Sequence, residues 1–209
     1  LNGVSPDTPC EPACGTGNMT CRMEKRGYKI TASDISRDML SIASEKLDNT
    51  ELICSDMSKL ALSKKYDAFL CMIDGLNYVI TPKAVLDTFI NVKKHLNDGG
   101  VFVFDVSSWY KLKHILGNET FIHSEYDVFY SWQNRFMRKH NLSDMLLNFF
   151  VRNGDAYDRF EERHLQRGWS EEELTKMLKK AGLPEISVYD ELKFIAPNPE
   201  SARLVFVCK

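Results

Sequence analysis

Short apolar runs alternate with segments of helical periodicity over the first two-thirds of the chain, and this alternation restricts the fold more than any other feature. The run Ala68–Ile73 carries no charged residue, as a strand covered on both faces requires. Ser36 is a good N-cap for a helix in which Leu40 and Ala43 repeat at helical spacing. Strands that alternate with helices predict βαβ units and a parallel sheet. The first predicted strand ends near Ala13, and four more cover 29–33, 51–54, 66–73 and 101–106. The predicted helices cover 17–26, a segment that begins at Ser36, and a segment that begins at Pro82 and is stopped by Gly99 and Gly100.

The pattern changes after Ser107, where apolar and polar residues alternate with period two as far as Gly168. Such alternation predicts antiparallel strands with one covered face and one wet face. We therefore expect a single domain over residues 1–209 with a β-rich insertion at 107–168. Because the chain begins with Leu1 rather than Met, we also expect its start to be truncated.

A last helix and a hairpin follow the insertion. Ser170 and Glu173 form a capping box that begins the helix, and Gly182 ends it. Apolar runs at 186–192 and 202–208 predict two strands, so that an antiparallel strand joins the parallel sheet.

Charge and cysteine content exclude several classes of function. The 27 basic and 29 acidic side chains give a net charge of −2, which argues against bulk electrostatic binding of nucleic acid. No apolar run approaches the ~18–20 residues that span a bilayer, so a membrane protein is not expected. The six cysteines contain no C-x-x-C pair, which argues against a zinc site and predicts no metal. Cys54 and Cys71 lie in apolar runs and are predicted to be buried, and dispersed free thiols suit a reducing, cytoplasmic compartment.

The segment Glu11–Gly17 is the strongest functional signal, because it lies between a predicted strand and a predicted helix, where a doubly wound sheet binds ligands. Glycine there lets the backbone approach a ligand, and the first amides of the helix favour an anionic group. Asp34 follows the second strand, 19 residues after Gly15, where a carboxylate can accept hydrogen bonds from ribose hydroxyls. Ser55–Met57 follows the third strand, where an acceptor and an apolar side chain could hold an adenine.

Two kinds of nucleotide ligand fit these positions. A nicotinamide dinucleotide fingerprint would have a third glycine where Thr20 stands. Glu11 would repel a pyrophosphate but suits a ligand with an ammonium group. S-adenosylmethionine, with adenosine at one end and an amino acid at the other, fits all three positions, and a nicotinamide-dependent oxidoreductase stays as the alternative.

At this point the chain resembles the class I S-adenosylmethionine-dependent methyltransferases, from about Thr8 to its C-terminus. The motifs Asp74–Tyr78 and Glu162–Arg167 resemble more narrowly the small-molecule branch with a β insertion between strand five and the last helix. The sequence departs from the family at Pro12 and Ala13, where an apolar residue and a glycine are usual. The resemblance implies an α/β, Rossmann-like doubly wound sheet, mostly parallel with an antiparallel C-terminal strand, in the order 3-2-1-4-5-7-6.

The resemblance also implies roles for residues around S-adenosylmethionine. Glu11 would hold the ammonium group, Asp34 the ribose and Asp56 the adenine amine. The other implied positions are a loop shaped by Ala13, Gly15 and Gly17, adenine contacts from Ile35 and Met57, and Met72 near the reactive methyl.

The acceptor is expected to be a small molecule methylated on oxygen or nitrogen by in-line displacement, with the insertion as a lid over it. Tyr78 and His164 are the candidate catalytic residues, and Asn77, Tyr130 and Trp132 are candidate contacts to the acceptor. Packing under the insertion, or a solvated strand face for His164, would explain the same residues without a catalytic role. An RNA or protein acceptor, and a non-catalytic module that binds S-adenosylmethionine, stay as alternatives.

Overall fold

The computed structural model describes residues 8–209 of the chain. Strands and helices alternate first, as the sequence predicts. These elements are β1 (Pro9–Pro12), α1 (Asn18–Glu24), β2 (Thr31–Asp34), α2 (Arg37–Ser44), β3 (Glu51–Cys54), β4 (Tyr66–Cys71), α3 (Pro82–His95) and β5 (Leu96–Ser107). The remaining elements are β6 (Thr120–Glu125), β7 (Val128–Met137), β8 (Leu142–Asn153), β9 (Ala156–Arg167), α4 (Glu171–Lys180), β10 (Ile186–Asp190) and β11 (Arg203–Cys208).

Within residues 8–209 the strands form two sheets, a larger one of seven strands and a smaller one of four. The larger sheet has the order β3-β2-β1-β4-β5-β11-β10. Strands β1 to β5 pair in parallel, and β11 is antiparallel to both β5 and β10. The predicted fold class and strand order are therefore confirmed. This topology places the carboxyl ends of β1 to β5 on one edge, where the sheet can bind ligands.

Helix starts follow the side-chain signals in the sequence. The Ser36 hydroxyl accepts a hydrogen bond from the Met39 amide at 3.2 Å and begins α2. Ser170 and Glu173 form the predicted capping box at the start of α4. Each cap satisfies amides that the first turn of a helix leaves unpaired, which is worth ~1 kcal/mol.

The predicted stop of α3 at Gly99 and Gly100 is wrong. The helix ends at His95, and Leu96 already has extended backbone angles and pairs with Tyr66 at the start of β5. The two glycines lie inside β5, at an irregularity in its pairing with β4. A Cβ on Gly100 would lie 2.8 Å from Cδ1 of Leu96. Glycine at this position therefore avoids a clash with the side chain of the first residue of β5.

The smaller sheet is the predicted β-rich insertion, with the order β6-β7-β8-β9 and antiparallel pairing throughout. A π-helical turn at Lys111–Leu116 joins it to β5. Leu112 and Leu116 of this turn pack against Met145 of β8, and Trp132 packs against the same cluster. One face of the smaller sheet is therefore covered near its junction with the larger sheet.

The main apolar core lies between the larger sheet and helices α3 and α4. Phe104 of β5 stacks on Phe206 of β11 with ring centroids 4.7 Å apart, and Phe89 of α3 packs against Phe104. Cys71 is buried as predicted, whereas Cys54 is exposed because β3 is the edge strand of the larger sheet. No helix among residues 8–209 combines the length and apolar character needed to cross a membrane.

Candidate active site

A cavity of about 600 Å³ lies at the carboxyl ends of β1 to β4, and we call it the strand-end cavity. Its walls include most of the positions that the sequence predicts for the cofactor. These residues are Ala13, Gly15, Asp34, Ile35, Asp56 and Met57. Three consecutive strand ends therefore do converge on one space, as expected for parallel strands.

Asp34 is fixed by two backbone amides. The Gly15 amide donates to Oδ2 of Asp34 at 2.8 Å, and the Ser36 amide donates to Oδ1 at 2.9 Å. A carboxylate has about four acceptor positions, so each oxygen keeps capacity for a hydroxyl. Gly15 has a φ of +55° and no atom within 4 Å of the position that a Cβ would take. The loop thus leaves open space beside a carboxylate that is already held in place.

Glu11 lies at the back of this loop and does not line the cavity. It is 4% exposed and accepts a hydrogen bond from the Thr20 hydroxyl at 2.5 Å. Burial raises its pKa from the ordinary 4.5 to about 7, and the Thr20 hydrogen bond offsets only part of this effect. Thr20, which occupies the place of a third glycine, is therefore the partner of Glu11. The pair leaves a carboxyl group without a positive counter-charge near the loop.

The far end of the cavity has an apolar side and an acidic side. Ile35 is 70% exposed there, and Met57 is partly buried against the core. Oδ1 of Asp56 accepts from the Ser58 amide and the Ser58 hydroxyl, both at 2.8 Å. Asp56 therefore caps a short helical turn and also lines the cavity. Met39 of α2 lines the cavity as well, although the sequence indicated only its place on a helix.

Besides Glu11, two other predicted cofactor positions, Gly17 and Met72, lie outside the cavity walls. A Cβ on Gly17 would be 3.0 Å from Cβ of Ala43, so this glycine lets α1 pack closely on α2. Met72 follows β4, but Ile73 lines the cavity in its place. The reason is a turn in the backbone, since Ile73 and Asp74 have φ values of 60° and 63°.

A second cavity of about 400 Å³ lies between the two sheets, and we call it the inter-sheet cavity. Tyr130 and Trp132 of β7 line it, as the sequence predicts for contacts to an acceptor. Its remaining apolar wall consists of Leu116, Met145, Leu147 and Phe149, and its polar wall of Asp74, Ser107, Lys111 and Gln166. Of the described residues, Tyr78 and His164 line both cavities.

The two candidate catalytic residues are in contact. Oη of Tyr78 lies 3.0 Å from Nδ1 of His164, and Nε2 of His164 lies 3.1 Å from Oε2 of Glu162. Partial burial raises the pKa of Tyr78, with a smaller opposing effect from Gln166. The phenol therefore remains protonated at neutral pH. Glu162 was missed because β9 is charged on both faces, so that only its pairing with Leu147 of β8 shows that Glu162 lies on the cavity side with His164.

Asn77, predicted from the sequence as a contact to the acceptor, lies away from both cavities. Its side chain is fully buried and lines neither cavity. Nδ2 donates to the backbone oxygens of Ser107 and Arg167, both at 2.9 Å, and Oδ1 accepts from the Ser107 amide at 2.9 Å. Asn77 therefore ties the turn that carries Tyr78 to the end of β5 and to the end of β9.

A charged cluster next to the inter-sheet cavity was also missed. Nη1 of Arg203 lies 2.7 Å from Asp74 and 2.9 Å from Asp105. The Ser107 hydroxyl donates to Asp74 at 2.9 Å, and Lys111 donates to the Ser107 hydroxyl at 3.0 Å. Asp105 interrupts the apolar strand Val101–Val106, and this was the available signal, because a buried charge needs a partner.

Comparisons with known proteins decide the family. The sequence matches the family described as a methyltransferase domain over residues 10–100. A crystal structure of an S-adenosylmethionine-dependent methyltransferase from Clostridium acetobutylicum ATCC 824 has a TM-score of 0.90 and 36% identity, and the match covers 97% of this chain and 83% of that chain. The chain belongs to the S-adenosylmethionine-dependent methyltransferases.

This methyltransferase is also similar to a Bacillus subtilis (strain 168) protein named "Putative methyltransferase YqeM". The two are 36% identical over 199 residues, which cover 93% of this chain and 80% of that protein. The sugar N-methyltransferase KedS8 from Streptoalloteichus sp ATCC 53650 has a TM-score of 0.77 at 19% identity, with 97% of this chain and 80% of that chain covered. That likeness shows a common fold.

S-adenosylmethionine is therefore the expected cofactor, and membership of the family decides against the nicotinamide alternative. The residues present fit this cofactor. The open space beside Gly15 admits a nucleoside, and Asp34 keeps acceptor capacity for ribose hydroxyls. Glu11, buried behind the loop, would supply an acidic group for the ammonium of the cofactor. Among residues 8–209 no group of three or more His, Cys, Asp or Glu side chains could hold a metal ion.

Proposed function

We propose that this enzyme methylates an oxygen or nitrogen atom of a small molecule that binds in the inter-sheet cavity, with S-adenosylmethionine in the strand-end cavity. One observation supports this proposal above all others. Tyr78 and His164 line both cavities and hydrogen-bond to each other where the two spaces meet. A donor on one side and an acceptor on the other would therefore meet at a pair of groups that can hold or move a proton.

The inter-sheet cavity supports a small acceptor by its size and its walls. A volume of about 400 Å³ lies within the range of ~300–1,000 Å³ that is usual for small-molecule sites. Tyr130, Trp132 and Phe149 offer aromatic surface, and the Lys111 ammonium offers hydrogen-bond donors on the polar wall. The smaller sheet would then act as a lid, because it supplies the aromatic wall.

The chain contributes to the reaction mainly by alignment and by handling a proton. When bound, S-adenosylmethionine supplies an electrophilic methyl group on a sulfonium. Holding an acceptor atom in line with that group can be worth up to ~7–11 kcal/mol. His164 would take up the proton of an acceptor that arrives protonated, through the Tyr78 hydroxyl, which passes its own proton to Nδ1 as it receives that of the acceptor, a contribution of roughly 10²–10⁴-fold.

Labelled methyl transfer tests the size of the acceptor. The enzyme is incubated with a cell extract and S-adenosylmethionine labelled in its methyl group, and the products are then separated by ultrafiltration. After unreacted S-adenosylmethionine is removed from the filtrate by chromatography, we expect a labelled product there, and label confined to retained protein or RNA would refute a small acceptor. A variant His164→Ala should keep the affinity for S-adenosylmethionine, measured by titration calorimetry, and lose most of the transfer. Equal loss of both would indicate structural damage.

A further inference from the structure

We propose that Glu162 completes a proton path from the acceptor through Tyr78 and His164 to solvent, and that the acceptor is therefore a hydroxyl compound or an ammonium compound. This inference rests on the proposed function, because it requires an acceptor in the inter-sheet cavity. It adds a third residue to the pair at the junction of the cavities. It also narrows the acceptor to molecules whose reacting atom carries a proton that must be removed.

The geometry joins three side chains from two sheets. Tyr78 belongs to a helical turn, Gly75–Tyr78, after β4 of the larger sheet, whereas His164 and Glu162 both belong to β9. The distances along the path are 3.0 Å from Tyr78 to His164 and 3.1 Å from His164 to Glu162. Tyr78 is 49% exposed, and the side chains of His164 and Glu162 are 29% and 55% exposed, so a half-buried imidazole joins two exposed groups. The path starts at the cavity junction and ends in water.

The strand register explains why Glu162 faces the same way as His164. Glu162 pairs with Leu147 and His164 pairs with Met145 on β8, and both of these partners line the inter-sheet cavity. The adjacent residue Glu161 belongs to the opposite face of the strand. The face that meets the larger sheet therefore carries Glu162 and His164 together.

The carboxylates on the opposite face have other partners. Glu161 forms an ion pair with Arg159 at 2.8 Å. Asp144 forms ion pairs with Arg163 and Arg135. Among the described residues, the basic group within 4.0 Å of the Glu162 carboxylate is the His164 imidazole. Glu162 therefore contacts His164, whereas Glu161 and Asp144 contact arginines.

The carboxylate determines which ring nitrogen of His164 carries the proton. A carboxylate oxygen accepts, so Nε2 of His164 donates to Glu162, and in the neutral imidazole Nδ1 is then the acceptor. The Tyr78 hydroxyl then donates to Nδ1, which leaves a lone pair of the phenol oxygen free to accept from the acceptor. Each donor and acceptor therefore faces in the direction that carries a proton away from the inter-sheet cavity.

The chemical step balances along this path. The acceptor atom forms a bond to the methyl carbon while the bond between that carbon and sulfur breaks, and the electron pair of the broken bond stays on sulfur. The proton of the acceptor atom passes to the Tyr78 oxygen as the Tyr78 hydroxyl proton passes to Nδ1 of His164. The Nε2 proton then passes to Glu162 and from there to water. No other reactant is needed.

The charged groups on the other side of the junction do not compete for this role. Asp74, which precedes the turn that carries Tyr78 and lines the inter-sheet cavity, forms an ion pair with Arg203 at 2.7 Å. Lys111 carries a positive charge and donates to the Ser107 hydroxyl at 3.0 Å, so it cannot accept a proton while charged. The path through His164 is the one that leads from Tyr78 to an exposed carboxylate.

The first test measures the His164 tautomer by nitrogen NMR of the full chain with S-adenosylhomocysteine bound, assigned against His164→Asn. We expect a proton on Nε2 in the natural protein and in Glu161→Gln, and a mixture of tautomers in Glu162→Gln, because an amide can donate or accept. A proton on Nδ1 in the natural protein, or an unchanged tautomer in Glu162→Gln, would overturn the path. This measurement needs no acceptor, so it stands even if the proposed function fails.

The second test measures methyl transfer to a panel of simple phenols, alcohols and amines. We expect Glu162→Gln to lower kcat about tenfold or more, with an unchanged KM for S-adenosylmethionine; loss of the whole path would cost the ~10²–10⁴-fold of general acid–base catalysis. Glu161→Gln should behave as the natural protein, and Glu162→Asp should restore part of the rate. Full activity in Glu162→Gln together with inactivity of Tyr78→Phe would refute a role for Glu162. Failure of every compound in the natural protein would count against the small acceptor and leave the tautomer result to decide the path.

Discussion

The buried carboxyl of Glu11 predicts that the variant Glu11→Gln is more stable than the natural protein at slightly alkaline pH and binds S-adenosylmethionine less tightly. The pKa of Glu11 is about 7 in the folded chain and 4.5 when it is exposed. Between these values the folded state holds the extra proton, so the free energy of unfolding falls as pH rises through this window. The fall is ~1.4 kcal/mol per pH unit, or about 3 kcal/mol in all.

Glutamine at this position removes the charge and keeps an oxygen that can accept from Thr20. Its amide group adds donors without an evident acceptor, at a cost of ~1 kcal/mol. We therefore expect Glu11→Gln to raise the free energy of unfolding by about 2 kcal/mol near pH 8, and to remove the decline with pH. Cofactor affinity should fall at least tenfold, because the ammonium group loses its counter-charge.

Urea denaturation of the cofactor-free protein at about pH 5 to 8 measures the stability, and titration calorimetry measures the affinity. Glu185→Gln changes an exposed glutamate and serves as the matched control, which should alter neither quantity. In the natural protein, affinity for S-adenosylmethionine should also weaken as pH falls below about 7. Glu11 is then protonated, and it must lose this proton before its carboxylate can balance the charge of the ammonium group. A variant that is no more stable at alkaline pH, with the natural pH dependence retained, would refute this reasoning.

Three further substitutions test other parts of the site. Asp34→Ala should weaken S-adenosylmethionine binding at least tenfold in calorimetry, because hydrogen bonds to a charged acceptor are worth ~1.5–3 kcal/mol, and unchanged binding would remove Asp34 from the site. Phe149→Ala should raise KM for a small acceptor, whereas Phe150→Ala on the opposite face of β8 should not, and equal effects would contradict the inter-sheet cavity as the acceptor site. Arg203→Gln should lower the free energy of unfolding, measured by urea denaturation, by ~3–5 kcal/mol, the usual cost of breaking a buried ion pair. The reason is that buried Asp105 loses its ion-pair partner, and a loss below ~1 kcal/mol would contradict a stabilising role for this ion pair.

The larger sheet and its helix starts could be predicted because their signals are local. An uncharged run such as Ala68–Ile73, the N-cap Ser36 and the capping box at Ser170 each depend on residues within one element. The same locality made Asp34 and Asp56 visible, since each directly follows a strand and the parallel topology brings the strand ends together.

The errors have a common physical cause, which is dependence on residues distant in the sequence. Asn77 is 30 and 90 residues from its partners Ser107 and Arg167, so no local pattern separates a buried clamp from a substrate contact. The apolar run around Cys54 indicated burial, but strand order made β3 an edge. Glu162 lies in a strongly charged strand, where only the register with β8 distinguishes it from Glu161.

The division of the reactive pair between two sheets has a consequence for selectivity. The phenol is attached to one sheet and the imidazole to the other, and the buried Asn77 amide is one of the contacts that join the two backbones. An acceptor too large for the inter-sheet cavity would have to separate the two sheets and so move Tyr78 away from His164. Misplacing reacting groups by about 1 Å can cost on the order of 10² in rate. Large compounds would therefore be excluded by a low rate of methyl transfer, because the catalytic pair is disrupted, rather than by weak binding.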